Sequence, residues 1–347
     1  MRLPITSSLI LCCGLLLSGC QTLPTLDTSP EQEPQALAHS YDFRLYQAPN
    51  QPITVLELAQ QLKEIDVVFI GEFHGNHASH LLQMQLQAAL FQLRPEQVLS
   101  MEMFERHQQP VLNRYLDGEV GEKYLINEAP AWPNYAGSYR PMVEFAKHNF
   151  LPVIAANAPG DIVRCIGQYG QSYLDVLPTD EKAKIAKNSF LNDEAYQTKF
   201  YEFMEEMRHG KMNDERKANS YAAQLTRDNT MAESILQALD DHPQAQVIHL
   251  NGSFHSAEHL GTVALLKQRR PDLKVAVITP IRVNNPEAPK LTQDDLNKGD
   301  YLYLIQPQPE EYLDASYRRQ AMQNMFANSK DKAKRCLAIP ATHPSAD

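Results

Sequence analysis

Short apolar runs, each closed by a polar or glycine-containing turn, recur along the chain. Runs of this length and composition are typical of strands that are buried on both faces of a parallel sheet. The clearest run is Val67-Val68-Phe69-Ile70, which is followed by Gly71-Glu72-Phe73-His74. The pattern predicts strands over residues 67–70, 98–101, 151–156, 247–250, 274–279 and 301–305.

Segments with helical spacing separate these runs. Apolar residues favour helices over about residues 78–93, 142–148 and 258–269. The alternation of buried strands and helices predicts an α/β fold, with a mostly parallel sheet flanked by helices. We assign this α/β domain to residues 41–177 and 243–347.

The strand pattern disappears between residues 178 and 242. An amphipathic helix is predicted there first, because its apolar positions follow the spacing i, i+3, i+4, i+7. These positions are Phe200, Phe203, Met204 and Met207. A second helix is predicted over residues 221–239. We therefore expect a helical subdomain, residues 178–242, inserted into the α/β domain.

The amino terminus has the pattern of an export signal. Arg2 precedes an apolar run over residues 9–17, which is too short to span a bilayer as a stable helix. Leu17-Ser18-Gly19-Cys20 resembles the bacterial lipobox, with an ordinary secretory signal as the alternative. We expect a signal peptide over 1–19, a lipidated Cys20 and a flexible tether over 20–40. Gln21 stands where Asp would favour inner-membrane retention, so we expect an outer-membrane lipoprotein facing the periplasm.

Charge and cysteine content limit the possible partners and the possible covalent cross-links of the chain. The 347 residues carry a net charge of −10, which argues against nucleic acid as a partner. Beyond the signal and the predicted lipidation site Cys20, the cysteines are Cys165 and Cys336. An oxidising compartment permits a disulfide between them, and two buried free thiols are the alternative. The sequence does not decide between these two states.

Polar residues at the predicted strand ends are the main functional signal. In open parallel sheets, ligands bind at the carboxyl ends of the strands. Any one of these residues could instead be a cap, a turn former or a hydrogen-bonded core residue. Together they predict one pocket, lined by Glu72, His74, Glu102, Asn157 and His255.

Glutamate and histidine could serve this pocket as a general base and its orienting partner, or as metal ligands. Glu72, His74, Glu102 and His255 could form a zinc site, although their spacing is weak evidence. His255 and His259 would share a face if the helix began there. The chain has neither a glycine-rich phosphate loop nor a Gly-x-Ser-x-Gly nucleophile motif.

Ile70-Gly71-Glu72-Phe73-His74 resembles a motif of the ChaN family of bacterial haem-binding, iron-regulated lipoproteins, in the Tiki/TraB superfamily. Other segments fit the family's pattern in order over about residues 65–280. They are residues 101–105, 109–112, 139–146, 155–159, 231–233 and 252–255, with Trp132, Gln224 and Asp228.

The resemblance implies haem as cofactor, a tyrosinate on the haem iron, and haem shared between the subunits of a homodimer. It also implies basic or histidine groups near the propionates. The candidate haem-binding residues are Tyr135, Tyr139, Tyr201, His209 and Lys211. For each tyrosine, an ordinary buried ring with a satisfied hydroxyl is the alternative. An outer-membrane haem receptor is a further expected partner.

Other branches of the superfamily are similar to metal-dependent proteases or His/Glu esterases. In that alternative Glu72, His74, Glu102 and His255 would be catalytic or would hold a metal. A third alternative is a periplasmic scaffold or sensor lipoprotein with a vestigial pocket.

Overall fold

An eight-stranded sheet forms the centre of the fold, with strand order β2-β1-β8-β7-β3-β6-β4-β5. The computed structural model describes residues 36–130, 132–208 and 213–337. The predicted signal peptide, Cys20, His209 and Lys211 lie outside the described residues. The strands are β1 Phe43–Gln47, β2 Gln51–Pro52, β3 Val67–Glu72, β4 Gln97–Glu105, β5 Val153–Asn157, β6 Gln246–Gly252, β7 Val275–Arg282 and β8 Tyr301–Ile305.

The predicted α/β architecture is confirmed. Neighbouring strands are parallel from β8 across to β5, while β1 pairs antiparallel with β8 and with β2. Each of the six predicted strands is present in this parallel part. Strands β3 and β6 lie inside the sheet, and all of their residues are buried.

Helices cover both faces of the sheet. They are α1 Val55–Leu62, α2 His77–Leu93, α3 Gln109–Leu116, α4 Glu122–Glu128, α5 Tyr135–Ser138, α6 Arg140–His148, α7 Gly160–Tyr169, α8 Tyr173–Val176, α9 Thr179–Lys182, α10 Glu194–Arg208, α11 Asp214–Asp241, α12 Thr262–Arg269 and α13 Ala315–Ala333.

Alternate side chains of β3 enter two different cores, as the two-residue period of a strand requires. Val68 and Ile70 pack in the core that contains residues of α1, α2 and α6. Val67 and Phe69 pack in the core that contains residues of α10, α11 and α12. The sheet is therefore buried on both faces, which explains the continuous apolar runs in the sequence.

The helices of residues 178–242 contribute to the second of these cores. Phe200 is buried there, and Phe203 is more exposed, so at least part of the apolar stripe on α10 is core. The long helix α11 packs against α7, α12 and β5. Residues 34–347 form one compact unit, and the division into domain and subdomain remains an interpretation.

The helix predicted from residue 258 begins four residues later, so its predicted start is wrong. Two short 3₁₀ turns, Ser253–His255 and Ala257–His259, occupy the segment between β6 and α12. Glu258, His259 and Gly261 all have a left-handed φ, which an α-helix excludes. A β-carbon on Gly261 would lie 2.6 Å from the carbonyl oxygen of His255, so the turn requires glycine.

A disulfide joins Cys165 of α7 to Cys336, 171 residues further along the chain. It decides between the two cysteine states that the sequence leaves open. The bond anchors the end of α13, whose described side chains are nearly all exposed. Among the described residues, no helix is long and apolar enough to cross a membrane.

Candidate functional site

The carboxyl ends of β3, β4, β5 and β6 meet at one edge of the sheet. Glu72 ends β3, Glu102 lies near the end of β4, and Asn157 ends β5. His255 follows β6 in the turn after Gly252, and Gly252 stands opposite Glu72 in the β3–β6 register. The parallel topology therefore brings these side chains to the same edge.

Glu72 is a fully buried carboxylate whose two oxygens are both engaged. The Tyr139 hydroxyl donates to Oε1 at 2.6 Å, and Nδ1 of His74 lies 2.8 Å from the same oxygen. Gln83 Nε2 donates to Oε2 at 2.7 Å, with His80 Nδ1 at 3.5 Å. This set of partners offsets much of the cost of burying the carboxylate.

Glu102 and His255 form a second buried pair, which continues to Asp228 on α11. Nε2 of His255 lies 3.5 Å from Glu102 Oε1, and Nδ1 lies 2.7 Å from Asp228 Oδ1. The backbone N–H of Gly252 donates to Glu102 Oε2 at 2.6 Å. The imidazole is thus held between carboxylates from two different elements.

The pKa values of this pair move apart. Burial disfavours the charged form of His255, but Asp228 and Glu102 outweigh it and raise its pKa to about 10. Burial likewise opposes ionisation of Glu102, but the charge of His255 and the hydrogen bonds hold its pKa well below its usual range. The site therefore contains an imidazolium between two carboxylates at neutral pH.

Asp228 has further donors of its own. The Tyr196 hydroxyl donates to Oδ2 at 2.9 Å, and the Thr262 hydroxyl donates to Oδ1 at 2.7 Å. Gln224 Nε2 donates to the Tyr196 hydroxyl at 2.9 Å and lies 3.3 Å from His255 Nδ1. Helices α10, α11 and α12 each contribute to this network.

His74 forms the exposed rim of the site, with 40% of its side chain exposed. Its ring packs edge-on against Trp132, at 4.3 Å between ring centroids. Gly252 lies directly beneath, since a β-carbon there would be 2.7 Å from His74 Nε2. Glycine at this position lets the imidazole close over the end of β6.

Asn157 has a local structural role. Its Nδ2 donates to the carbonyl oxygen of Glu102 at 3.0 Å, and its Oδ1 accepts from the N–H of Ala158 at 2.8 Å. Both contacts fix the ends of β4 and β5.

The tyrosines expected near haem occupy different environments. Tyr139 and Tyr135 are fully buried in the first core. Burial, with the Glu72 carboxylate beside it, holds the pKa of Tyr139 far above its usual range, and burial does the same for Tyr135. Tyr201 is partly buried on the other face of the sheet, where Gln197 donates to its hydroxyl.

The described residues contain no group of three or more His, Cys, Asp or Glu side chains arranged to hold a metal ion. His255 and His259 do not share a face, because the left-handed turn directs His259 to Asp300 at 3.3 Å.

The expected pocket omits several residues of the site, chiefly Asp228, Tyr196, Gln83 and His80. Asp228 is one of the residues that fit the family pattern, but nothing in its helix marks it as a partner of His255. His80 and Gln83 lie on the buried side of α2. Polar residues among the apolar positions of this helix were the one sequence signal that could have indicated them.

A model of the ChaN haem-binding uptake proteins, Tiki superfamily, matches residues 58–266. The chain belongs to the ChaN family. The match spans β3 to β6, α11 and every residue of the two carboxylate networks. A search of curated proteins returned no match.

A solved ChaN structure shares the fold of this ChaN chain, while two other solved structures are similar only at TM-scores below 0.5. A structure of Campylobacter jejuni ChaN with cofacial haem binding is 15% identical, with a TM-score of 0.58 over 77% of this chain and 98% of that one. The erythromycin esterase EreC, as a mutant in its open conformation, is 12% identical, with a TM-score of 0.42 over 80% and 86%. The type III effector HopBA1 is 11% identical, with a TM-score of 0.41 over 78% and 100%.

Asp228→Asn is expected to destabilise this ChaN chain by about 3 kcal/mol, because it removes one partner of a buried ion pair. The raised pKa of His255 gives stability that is fully present below pH 6.5 and is lost as the pH rises towards about 10. The variant should therefore lose most at the lower end of this window. Urea unfolding across the window measures the difference from the wild type.

Asp240→Asn, at the exposed Arg270–Asp240 pair on the same helix α11, is the matched control and should cost less than about 1 kcal/mol. Equal losses in the two variants would contradict the role assigned to the buried network.

Proposed function

We propose that the protein binds haem in the periplasm, anchored to the outer membrane, and takes part in haem and iron uptake. The observation that carries the proposal is the ChaN family match over residues 58–266, which contains the whole strand-end site. In this proposal a tyrosine binds the haem iron at a homodimer interface. The haem is exchanged with an outer-membrane receptor.

Haem requires an axial ligand, an apolar contact for its ring and positive or hydrogen-bonding groups for two propionates. Tyrosine is one of the residues that can hold haem iron. Coordination by Tyr139 would require its hydroxyl to leave Glu72 and reach the surface. Tyr201 is closer to the surface and would require less rearrangement.

The direct test is a hemin titration of the chain from Gln21, which retains the whole compact unit 34–347. Visible absorption and sedimentation are followed together. We expect saturable binding, a high-spin ferric tyrosinate spectrum and a shift from monomer to dimer, because the ligand and the interface are coupled in the proposal.

The proposed haem binding would be contradicted if the absorption changes did not saturate and the sedimentation of the protein did not change. Elemental analysis of the same preparation then reports whether zinc or manganese is bound, which would favour the hydrolase described below.

The anchor is tested separately. Cys20→Ser is expected to move the protein from the membrane fraction to the soluble periplasmic fraction, because the thioether that carries the lipid cannot form. Fractionation with antibody detection measures this, and Ser18→Ala, which leaves Cys20 in place, is the control. A Cys20→Ser variant that still sediments with outer membranes would contradict the lipoprotein assignment.

A second candidate function is hydrolysis that depends on a bound metal or on His and Glu residues. The observation that favours it is the Glu72–His74 pair, in which a buried carboxylate orients a half-exposed imidazole. This is the arrangement by which a carboxylate fixes the tautomer of a general base. Glu102 and His255 lie close enough to influence the charge of the same site.

If the site is hydrolytic, His74→Ala should lower ester hydrolysis by about 10² to 10⁴, the usual contribution of a general base. Activity on a panel of chromogenic esters measures the loss. His107→Ala is the matched control, since this imidazole is equally exposed and also lies beside a glutamate. Equal activity in wild type, His74→Ala and His107→Ala would remove the hydrolase.

A further inference from the structure

Helix α13 and the residues that follow it have the opposite charge to the rest of the protein. Residues 315–337 contain six basic side chains and one acidic one, a net charge of +5. Since the whole chain carries −10, the remainder carries −15. The basic residues are Arg318, Arg319, Lys330, Lys332, Lys334 and Arg335. A single element therefore concentrates positive charge on an otherwise acidic molecule.

The helix dipole explains part of this charge. It favours cations at the carboxyl end of a helix, where Lys334 also pairs with Asp331. Arg318 and Arg319 stand near the amino end of α13, where the dipole opposes cations. Asp314 caps this end, but no described residue forms an ion pair with the side chain of either arginine. Their charge is thus available to a partner.

The same segment exposes large apolar side chains. Of the twelve exposed large apolar side chains in the described part of the chain, five lie in residues 313–337. Leu313, just before the helix, is 89% exposed, and Met322 is exposed in its middle. A helix that is both basic and apolar at its surface is typical of a segment that lies in a membrane interface.

One stripe of α13 is attached to the body of the protein. A shallow groove against Arg164 of α7 is lined by α13 residues with the spacing i, i+3, i+7, namely Ala321, Asn324 and Asn328. The disulfide from Cys336 to α7 fixes the end of the segment. Arg319 and Met322 lie outside this stripe, so the opposite side of α13 is free of the body.

We propose that α13 lies on an anionic phospholipid surface and determines which side of the protein faces the membrane. The residues that would contact the lipid are Arg318, Arg319, Met322, Lys334 and Arg335, which we call the α13 surface. The inference rests on the proposed membrane anchoring, which would hold the chain near a lipid surface by its amino terminus alone.

Charge complementarity favours this occupant. Anionic headgroups attract the α13 surface and repel the acidic remainder of the chain, so one orientation is selected. Each basic residue near such a surface strengthens binding by about fivefold, and burial of exposed apolar side chains adds to this.

The test uses the chain from Gln21, which lacks the predicted lipidation site, and vesicles of phosphatidylcholine with or without anionic phosphatidylglycerol. We expect the wild type to sediment with the anionic vesicles and to be released at high salt, because salt screens exposed charges. A fourfold variant of the α13 surface should bind more than about a hundredfold more weakly while keeping the wild-type circular dichroism spectrum. It is Arg318→Gln, Arg319→Gln, Lys334→Gln and Arg335→Gln.

The matched control removes the same charge from four exposed lysines on other parts of the chain, as Lys63→Gln, Lys123→Gln, Lys182→Gln and Lys290→Gln. Its binding should change by less than about threefold, because these lysines lie away from the lipid. Leu313→Ser should weaken binding about tenfold by removing apolar contact.

Equal binding of the wild type to neutral and anionic vesicles, or equal losses in the two fourfold variants, would overturn the inference. A wild type that sediments with neither kind of vesicle would also overturn it, leaving an acidic protein as the partner of this charge. These outcomes are separate from the hemin titration and the Cys20→Ser fractionation, whose failure would overturn the proposed function instead.

Discussion

The salt bridge between His255 and Asp228 is the interaction on which the strand-end site depends. Two carboxylates and an imidazole are buried at the end of a parallel sheet, where each alone would be costly. The imidazolium compensates both acids and ties α11 to the ends of β4 and β6. Tyr196 and Thr262 extend the same network to α10 and α12, so the helical layer and the sheet are fixed relative to each other by polar contacts as well as by packing.

The site has two tiers with different properties. The lower tier contains Glu72, Glu102 and His255, which are buried and fully partnered. The upper tier consists of the half-exposed His74 ring and the partly buried Trp132 ring, with His74 joining the two tiers through its contact with Glu72. A buried, charged lower tier is rigid because any displacement leaves a charge unpaired, whereas the upper tier can accept a ligand without that cost.

The sequence is sufficient to predict the parallel sheet, because strands buried on both faces leave continuous apolar runs. The strand ends also predict Glu72, Glu102 and Asn157 as neighbours, since parallel topology determines where they meet. The pairing of Asp228 with His255 could not be predicted, because the orientation of a helix against a sheet depends on packing throughout the core. The start of α12 could not be predicted from the sequence for a local reason. The left-handed turn at residues 258–261 is required by the close approach of Gly261 to His255, which only the structure reveals. The Tyr139–Glu72 contact joins residues 67 positions apart, a distance that periodicity does not address.

The disulfide has a consequence for the covalent integrity of the molecule. The ring closed by Cys165 and Cys336 contains β6, β7 and β8, whereas β1 to β5 precede it. Proteases cut most readily at exposed loops such as the one between β7 and β8. A single cleavage anywhere between the two cysteines leaves both pieces covalently joined, with the central strands still paired across the cut. One cleavage anywhere in this half of the chain therefore leaves a single covalent molecule, and the two fragments separate only after the disulfide is reduced.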